Sequence, residues 1–427
     1  MRRKPYLYAG ALALGLSTTL ALAQSITKPD LPQPNLPQLD AKAPNQPTFD
    51  VNGTPFPKMP LPSAGAYGTP LVFSTSTGLP KPWQQGEVAG VCIDSQDHVF
   101  TVNRGNLVNS PETLVSVPSA PVMEFDSDGN FVNAWGDRDI LPIGLHGCFV
   151  DYQDNVWIAG NGDGIVQKYS HNGTLLAQIG GPHGNCDNPG VPTPNCGNSG
   201  ANPAANQSKT LLNEPANVYV DPKRDPQNGR RGNVYIADGY GNHRVVVFTE
   251  SSPNMYTWLR QFGGVAKGPV NNPLTDQISL FASGDGGHPH CVHIAVDDMV
   301  YTCDRGDDRI NVYDKTGNYQ RTIAVVPGTG VTLGLGGAPG LGTAGSAWDL
   351  WFTADGNDRF FVEADGGNEI VHIMRRNQGD IVGGFGTAGL QPGQFTFLHS
   401  VIVDSKGNLY TGETINGRRV QKFLRTN

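Results

Sequence analysis

The chain has 427 residues, with 55 glycines, 33 prolines and a formal net charge of −8. A negative balance without a basic cluster argues against a nucleic-acid partner. Beyond the N-terminal run, no stretch is long and apolar enough to read as a membrane span.

Residues 1–23 read as a secretory signal peptide. Met-Arg-Arg-Lys opens the chain, a short apolar run follows, and Ala21-Leu22-Ala23 supplies a small-residue cleavage site. The expected location is therefore secreted or periplasmic. Residues 24–66 are rich in Pro, Asn, Gln and Asp, and such a segment buries too little apolar surface to offset its ordering entropy. They are expected to form a flexible leader, followed by one domain over 67–427. In an oxidising compartment, Cys186 and Cys196 suit a loop-closing disulfide. Cys291 and Cys303 fall on consecutive predicted strands and can pair across them, whereas Cys92 and Cys148 read as small buried hydrophobes.

From residue 86 onward, short apolar runs recur between D-x-x-G/N turns, and helical periodicity is hard to find. The clearest unit is HSVIVDSKGNLYTGETINGRRVQKF at 399–423, and the same order of strand, Asp turn, strand and strand recurs to give six units. Several continue into a fourth strand ending in Gly, as in FVNAWG and LLAQIGG. Four-strand units at this spacing predict an all-β, six-bladed β-propeller. The last unit lacks its outer strand, which TPLVF at 69–73 is expected to supply.

Three histidines share one position in alternate units. His146, His290 and His399 each stand eleven residues before an aromatic: Trp157, Tyr301 and Tyr410. In a propeller the first strand of a blade lines the central channel. Alternate blades of six are a third of a turn apart, so these imidazoles are expected to meet near the axis as a His₃ metal site, best suited to zinc. His293 breaks the eleven-residue register and is the alternative ligand beside His290. His243 and His372 are expected at the surface. By the same register Arg104 and Arg305 each lie four residues past the aromatic position, and Tyr240 lies nearby in blade three. Two guanidiniums can bind a carboxylate, and a phenol between them can serve as a base. Asp238 and Asp304 read as turn-capping carboxylates.

These motifs resemble the peptidyl-α-hydroxyglycine α-amidating lyase family, the lyase domain of peptidylglycine α-amidating monooxygenase. The resemblance runs from about Gly86 to Phe423. It rests on LHGCFVD, PHCV and LHSVIVD for the zinc histidines, and on FTVNRGNLV, ADGYGNHRVVVF and CDRGDDRI for the catalytic Arg, Tyr and Arg. It implies a six-bladed propeller of NHL-type repeats, zinc on His146, His290 and His399, and catalysis by Arg104, Tyr240 and Arg305. The implied substrate is a small molecule or peptide ending in α-hydroxyglycine, supplied by a separate oxygenase. The family also implies structural calcium on the main-chain carbonyls of Val91 and Cys148 and on an Asp after the last zinc histidine. That position is Ser400 here, so weak or absent calcium is expected. The family's two disulfides find no cysteines at the matching positions. A rival reading is a non-enzymatic NHL-repeat propeller that binds a peptide or polymer in the cell envelope. A second is a metal-dependent propeller lactonase, but the carboxylate and Asn ligands of such an enzyme do not stand out.

Overall fold

The computed structural model describes residues 45–58, 81–105, 114–181, 208–263, 289–329 and 345–427, all within one compact unit, Ala41–Asn427. Six four-stranded antiparallel sheets make a six-bladed β-propeller. Their inner strands are Val88–Ile93, Leu145–Val150, Asn217–Asp221, Cys291–Ile294, Ala347–Phe352 and Leu398–Val403. Each blade then runs outward in chain order, and blades one to five are complete within themselves. Among the described residues no helix is long and apolar enough to cross a membrane.

Blade six closes the ring differently from the sequence expectation. Its three C-terminal strands, Leu398–Val403, Leu409–Glu413 and Arg419–Phe423, take Thr54–Phe56 as their outer strand, with Thr54 opposite Lys422 and Phe56 opposite Val420. Phe49 adds an isolated bridge to Arg425. The segment 69–73 lies outside the described residues, as do residues 1–44, which hold the stretch read as a signal peptide and the first part of that read as a leader. Part of the stretch read as leader is thus a structural closure. Phe49 and Phe56 explain it, because both are buried, and Phe56 stacks edge-on against Phe125 of blade one and Tyr410 of blade six.

The Asp turns set the register of the blades. Asp94, Asp151 and Asp404 end the inner strands of blades one, two and six. In each, Oδ1 accepts the backbone N–H groups two and four residues on, at 2.8–3.0 Å. The residue between takes a left-handed conformation: Asp97, Asp154 and Gly407. A short polar side chain or glycine is what that conformation tolerates. The core lies between blades. One cluster packs Phe100, Val122 and Phe125 of blade one against Leu145 and Ile158 of blade two and Ile402 and Tyr410 of blade six.

Two disulfides tie the inner strands. Cys291 and Cys303 pair within blade four. Cys92 and Cys148 also pair, joining blades one and two, which corrects their reading as free buried hydrophobes. The two strands come this close because Gly90 has no side chain: a Cβ there would stand 2.6 Å from the His146 carbonyl and 3.0 Å from the Cys148 nitrogen. Cys186 and Cys196 lie outside the described residues. His243 and His372, expected at the surface, are both buried, and His372 pairs with Asp365 at 3.2 Å.

If Phe56 carries the closure, Phe56→Ala should lower unfolding stability by about 3–5 kcal/mol in a chemical denaturation series, the usual cost of emptying a buried phenylalanine site. A change within about 0.5 kcal/mol, as at ordinary surface positions, would mean that the ring closes without this strand.

Candidate metal centre

Six equivalent residues open the inner strands at one end of the channel: Ala89, His146, Ala216, His290, Trp348 and His399. Histidine alternates with a different residue all the way round. The three imidazoles meet there, with ring centroids 5.0, 4.6 and 5.0 Å apart. Their ligand nitrogens all lie within 4.8 Å of one another, and the residues are 1–4% exposed.

The alternate blades orient these rings. His146 Nδ1 donates to the Ala216 carbonyl and His290 Nδ1 to the Trp348 carbonyl, both at 2.6 Å. His399 faces the equivalent carbonyl of Ala89, though without a hydrogen bond of good geometry. A carbonyl can only accept, so each bonded Nδ1 carries the proton and Nε2 presents its lone pair. Burial pushes all three imidazolium forms down. His399 falls to about 3, with Arg104 and Arg305 adding to the effect of burial. His146 is lowered by burial, then by His399 and Arg104, and His290 by burial, then by Arg305 and the other two histidines.

Tyr240 reaches the same point from blade three. Its hydroxyl lies 3.0 Å from His146 Nε2 and 3.1 Å from His290 Nε2, and accepts from Arg305 Nη1 at 3.3 Å. The loop that carries it is held by buried Asp238, which accepts from Asn213 N, Asn242 Nδ2 and Arg244 Nε at 2.7–2.8 Å. Asp304 plays the same part in blade four, accepting from Arg309 and Asn311. Both carboxylates are structural, as expected of turn caps. Arg305 lies over the Trp348 ring at 4.5 Å, so its guanidinium plane is fixed by stacking.

Arg104 stands on the same rim but does not reach the phenol as a second flank. Its guanidinium is bonded to Glu87 Oε2 at 2.9 Å, the Leu145 carbonyl at 2.9 Å and Asn161 Oδ1 at 3.3 Å. Beside it is a cavity of about 340 Å³ lined by Arg104, Arg138, Pro142, Ile143 and Leu145. Arg138, which donates to the Arg104 and Ser119 carbonyls, was not legible in the sequence because it lies outside the repeat register. Trp348 could have been found by aligning blade five to the histidine position.

One layer down the channel lie Val91, Cys148, Asn217, His293, Asp349 and Ser400. His293 faces down the channel, donating to or accepting from no other histidine of the cluster; its Nε2 pairs with Asp349 Oδ1 at 2.9 Å. Asp349 Oδ2 accepts from Val401 N at 3.1 Å. The carboxylate that Ser400 lacks is thus present in the neighbouring blade, already engaged on both oxygens. Asn217 Oδ1 and Ser400 Oγ are buried there without a hydrogen-bond partner.

The donor set at the top layer fits zinc. Three neutral imidazoles present lone pairs to one another in a dry place, and the single proton of Tyr240 can satisfy only one at a time. A cation removes that conflict.

No family model matches the chain. It is 26% identical over 372 residues to NHL repeat-containing protein 3 of Mus musculus, covering 83% of this chain and 84% of that protein. It is 26% identical over 376 residues to the Homo sapiens protein of the same name, covering 84% and 85%. A protein of unknown function from Bacteroides thetaiotaomicron shares the fold with a TM-score of 0.50 at 14% identity, covering 80% of this chain and 70% of that one. The chain is a six-bladed propeller that is similar over most of its length to these NHL repeat-containing proteins.

Metal content separates the ligand assignments. Relative to the wild type, His146→Ala/His399→Ala protein prepared without chelator should lose about one equivalent of transition metal, the stoichiometry of a single His₃ site. His293→Ala should keep it. Loss in His293→Ala and retention in the double variant would move the site one layer down.

Proposed function

We propose that the protein is a zinc-dependent carbon–nitrogen lyase that splits an N-acyl- or peptidyl-α-hydroxyglycine into a primary amide and glyoxylate. The observation that carries this reading is the convergence of the Tyr240 hydroxyl on His146, His290 and Arg305. Ligands from blades two, four and six, a phenol from blade three and a guanidinium from blade four meet at one channel mouth. The chain's likeness to the lyase family in its motifs adds to it.

The reaction needs few parts. The substrate hydroxyl loses its proton, its C–O bond becomes the aldehyde C=O of glyoxylate, and the C–N bond breaks. The bonding electrons go to nitrogen, which takes up a proton to become the amide. His146, His290 and His399 would hold the zinc, which when bound supplies Lewis-acid polarisation of the hydroxyl. Tyr240, as the phenolate, takes the hydroxyl proton and is placed to return it to the departing nitrogen. Arg305, stacked on Trp348, stabilises negative charge at the phenol oxygen and presents a planar fork. Arg104, anchored by Glu87, and Arg138 make the rim cationic beside the 340 Å³ cavity, which suits the glyoxylate carboxylate. The substrate would come from a separate oxygenase. The N-terminal motif supports export, and the two disulfides among the described cysteines suit an oxidising compartment.

Glyoxylate release from α-hydroxyhippurate by the purified protein tests this reading. Tyr240→Phe should reduce the rate about a hundred- to ten-thousand-fold, as loss of a positioned acid–base group does, while leaving the melting temperature unchanged. Arg305→Lys should also be severe, because a point charge replaces neither the fork nor the stack. A metal-loaded protein that releases no glyoxylate would favour the non-enzymatic binding propeller.

A further inference from the structure

At the seam of blades one and two, three positions of the turn pattern seen in blades two and six carry metal-binding groups instead. In blades two and six the turn Asp has its second oxygen bonded by the aromatic on the next strand. Trp157 Nε1 donates to Asp151 Oδ2 at 2.9 Å, and Tyr410 donates to Asp404 Oδ2 at 3.2 Å. An Asn four residues after the Asp, Asn155 or Asn408, also donates to the carboxylate. A lysine on the third strand, Lys168 or Lys422, lies over the aromatic ring at 5.6 or 5.3 Å.

Blade one replaces all three. The aromatic is Phe100, which has no donor to offer Asp94. The Asn position is His98, and the Lys position is Glu124. The adjoining turn of blade two contributes His171, where the equivalent turn of blade one carries Ser127. At the seam of blades six and one, Ser127 does no more than accept from Lys422 and Tyr410 through its carbonyl.

Asp94 and the three substituted groups face one another. His171 Nε2 lies 3.1 Å from Asp94 Oδ2 and 3.6 Å from Glu124 Oε1. His98 Nδ1 lies 2.7 Å from Glu124 Oε1 and 3.6 Å from Asp94 Oδ2. The ligand atoms of Asp94, Glu124 and His171 are mutually within 4.8 Å. For comparison, the nearest donors around a tetrahedral zinc ion stand about 3.3 Å apart, given bonds of about 2.0–2.1 Å. The carboxylate side chains are 0% and 1% exposed, whereas the imidazoles are 23% and 29% exposed, which gives an ion a path in. Phe100 packs edge-on against the His171 ring at 5.2 Å and holds it in place. Two buried carboxylates this close are unfavourable unless a cation stands between them.

We propose that this seam is a second metal site, in which Asp94, Glu124 and His171, completed by His98, bind a divalent transition ion of the zinc class. Two nitrogens and two carboxylate oxygens form a closed ligand set, the pattern of a structural site rather than a catalytic one. Because the inner strands begin at the His146–His290–His399 layer and end at the Asp turns, the two sites lie at opposite ends of the propeller. The ion would clamp blade one to blade two, the pair already joined by Cys92–Cys148.

The test uses untagged full-length protein in which His146→Ala/His399→Ala has emptied the other centre. After incubation with zinc and removal of the excess, this protein should retain about one zinc per chain, and chelator should lower its melting temperature. Adding His98→Asn and His171→Ser, the residues that the seam of blades six and one carries at these positions, should abolish both effects. A second variant guards against simple misfolding. His98→Asn/Phe100→Tyr/Glu124→Lys/His171→Ser rebuilds the seam of blades six and one, and should melt cooperatively with no zinc and no response to chelator. Protein that retains no zinc with all four residues intact would overturn the proposal and leave two imidazolium–carboxylate pairs. Zinc retained after the seam residues are replaced would overturn it as well.

Discussion

Three imidazoles are buried together at the channel mouth with their Nδ1 edges turned to main-chain carbonyls. His146 and His290 are bonded to Ala216 and Trp348, and His399 faces Ala89. The fold supplies these carbonyls because the histidines sit on even blades and the carbonyls on odd ones. Their Nε2 lone pairs are thereby forced toward one another, where burial keeps the rings uncharged. Such an arrangement costs free energy unless something electron-poor occupies the centre. The placement of Tyr240 and the stacking of Arg305 on Trp348 are arranged around that centre.

The same repeat position does structural or chemical work depending on one side chain. An Asp at the end of an inner strand organises its turn through one oxygen in blades one, two and six. Its second oxygen belongs to Trp157 or Tyr410 where the next strand offers a donor, and to His171 where Phe100 offers none. An Asp at the end of a second strand likewise holds the loop that carries Tyr240. Function on this propeller comes from local departures within a scaffold whose hydrogen-bond plan is otherwise repeated.

Much of this was legible because a propeller converts sequence register into angular position. The recurring strand and Asp-turn units counted the blades, and the eleven-residue step from His146 to Trp157, repeated at His290 and His399, put three distant residues at one repeat position. It also distinguished His290 from His293, which faces Asp349 instead. Contacts between repeats were not legible. Cys92 and Cys148 occupy different positions in their strands and meet only because Gly90 lets two blades approach. Thr54–Phe56 is a three-residue strand in a proline-rich stretch, and its pairing with the C-terminal strand depends on ring closure rather than local pattern. Register drew attention to Arg104, but it could not reveal that Glu87, Leu145 and Asn161 engage its guanidinium.

The central claim is that the three alternate-blade histidines hold one metal ion at the channel mouth. Crystals grown without chelator and measured at the zinc absorption edge test it most directly. The account predicts an anomalous peak among the Nε2 atoms of His146, His290 and His399, at about 2.0–2.1 Å from each. Crystals of zinc-supplemented protein with no peak there, and with the Tyr240 hydroxyl still bridging His146 and His290, would contradict it.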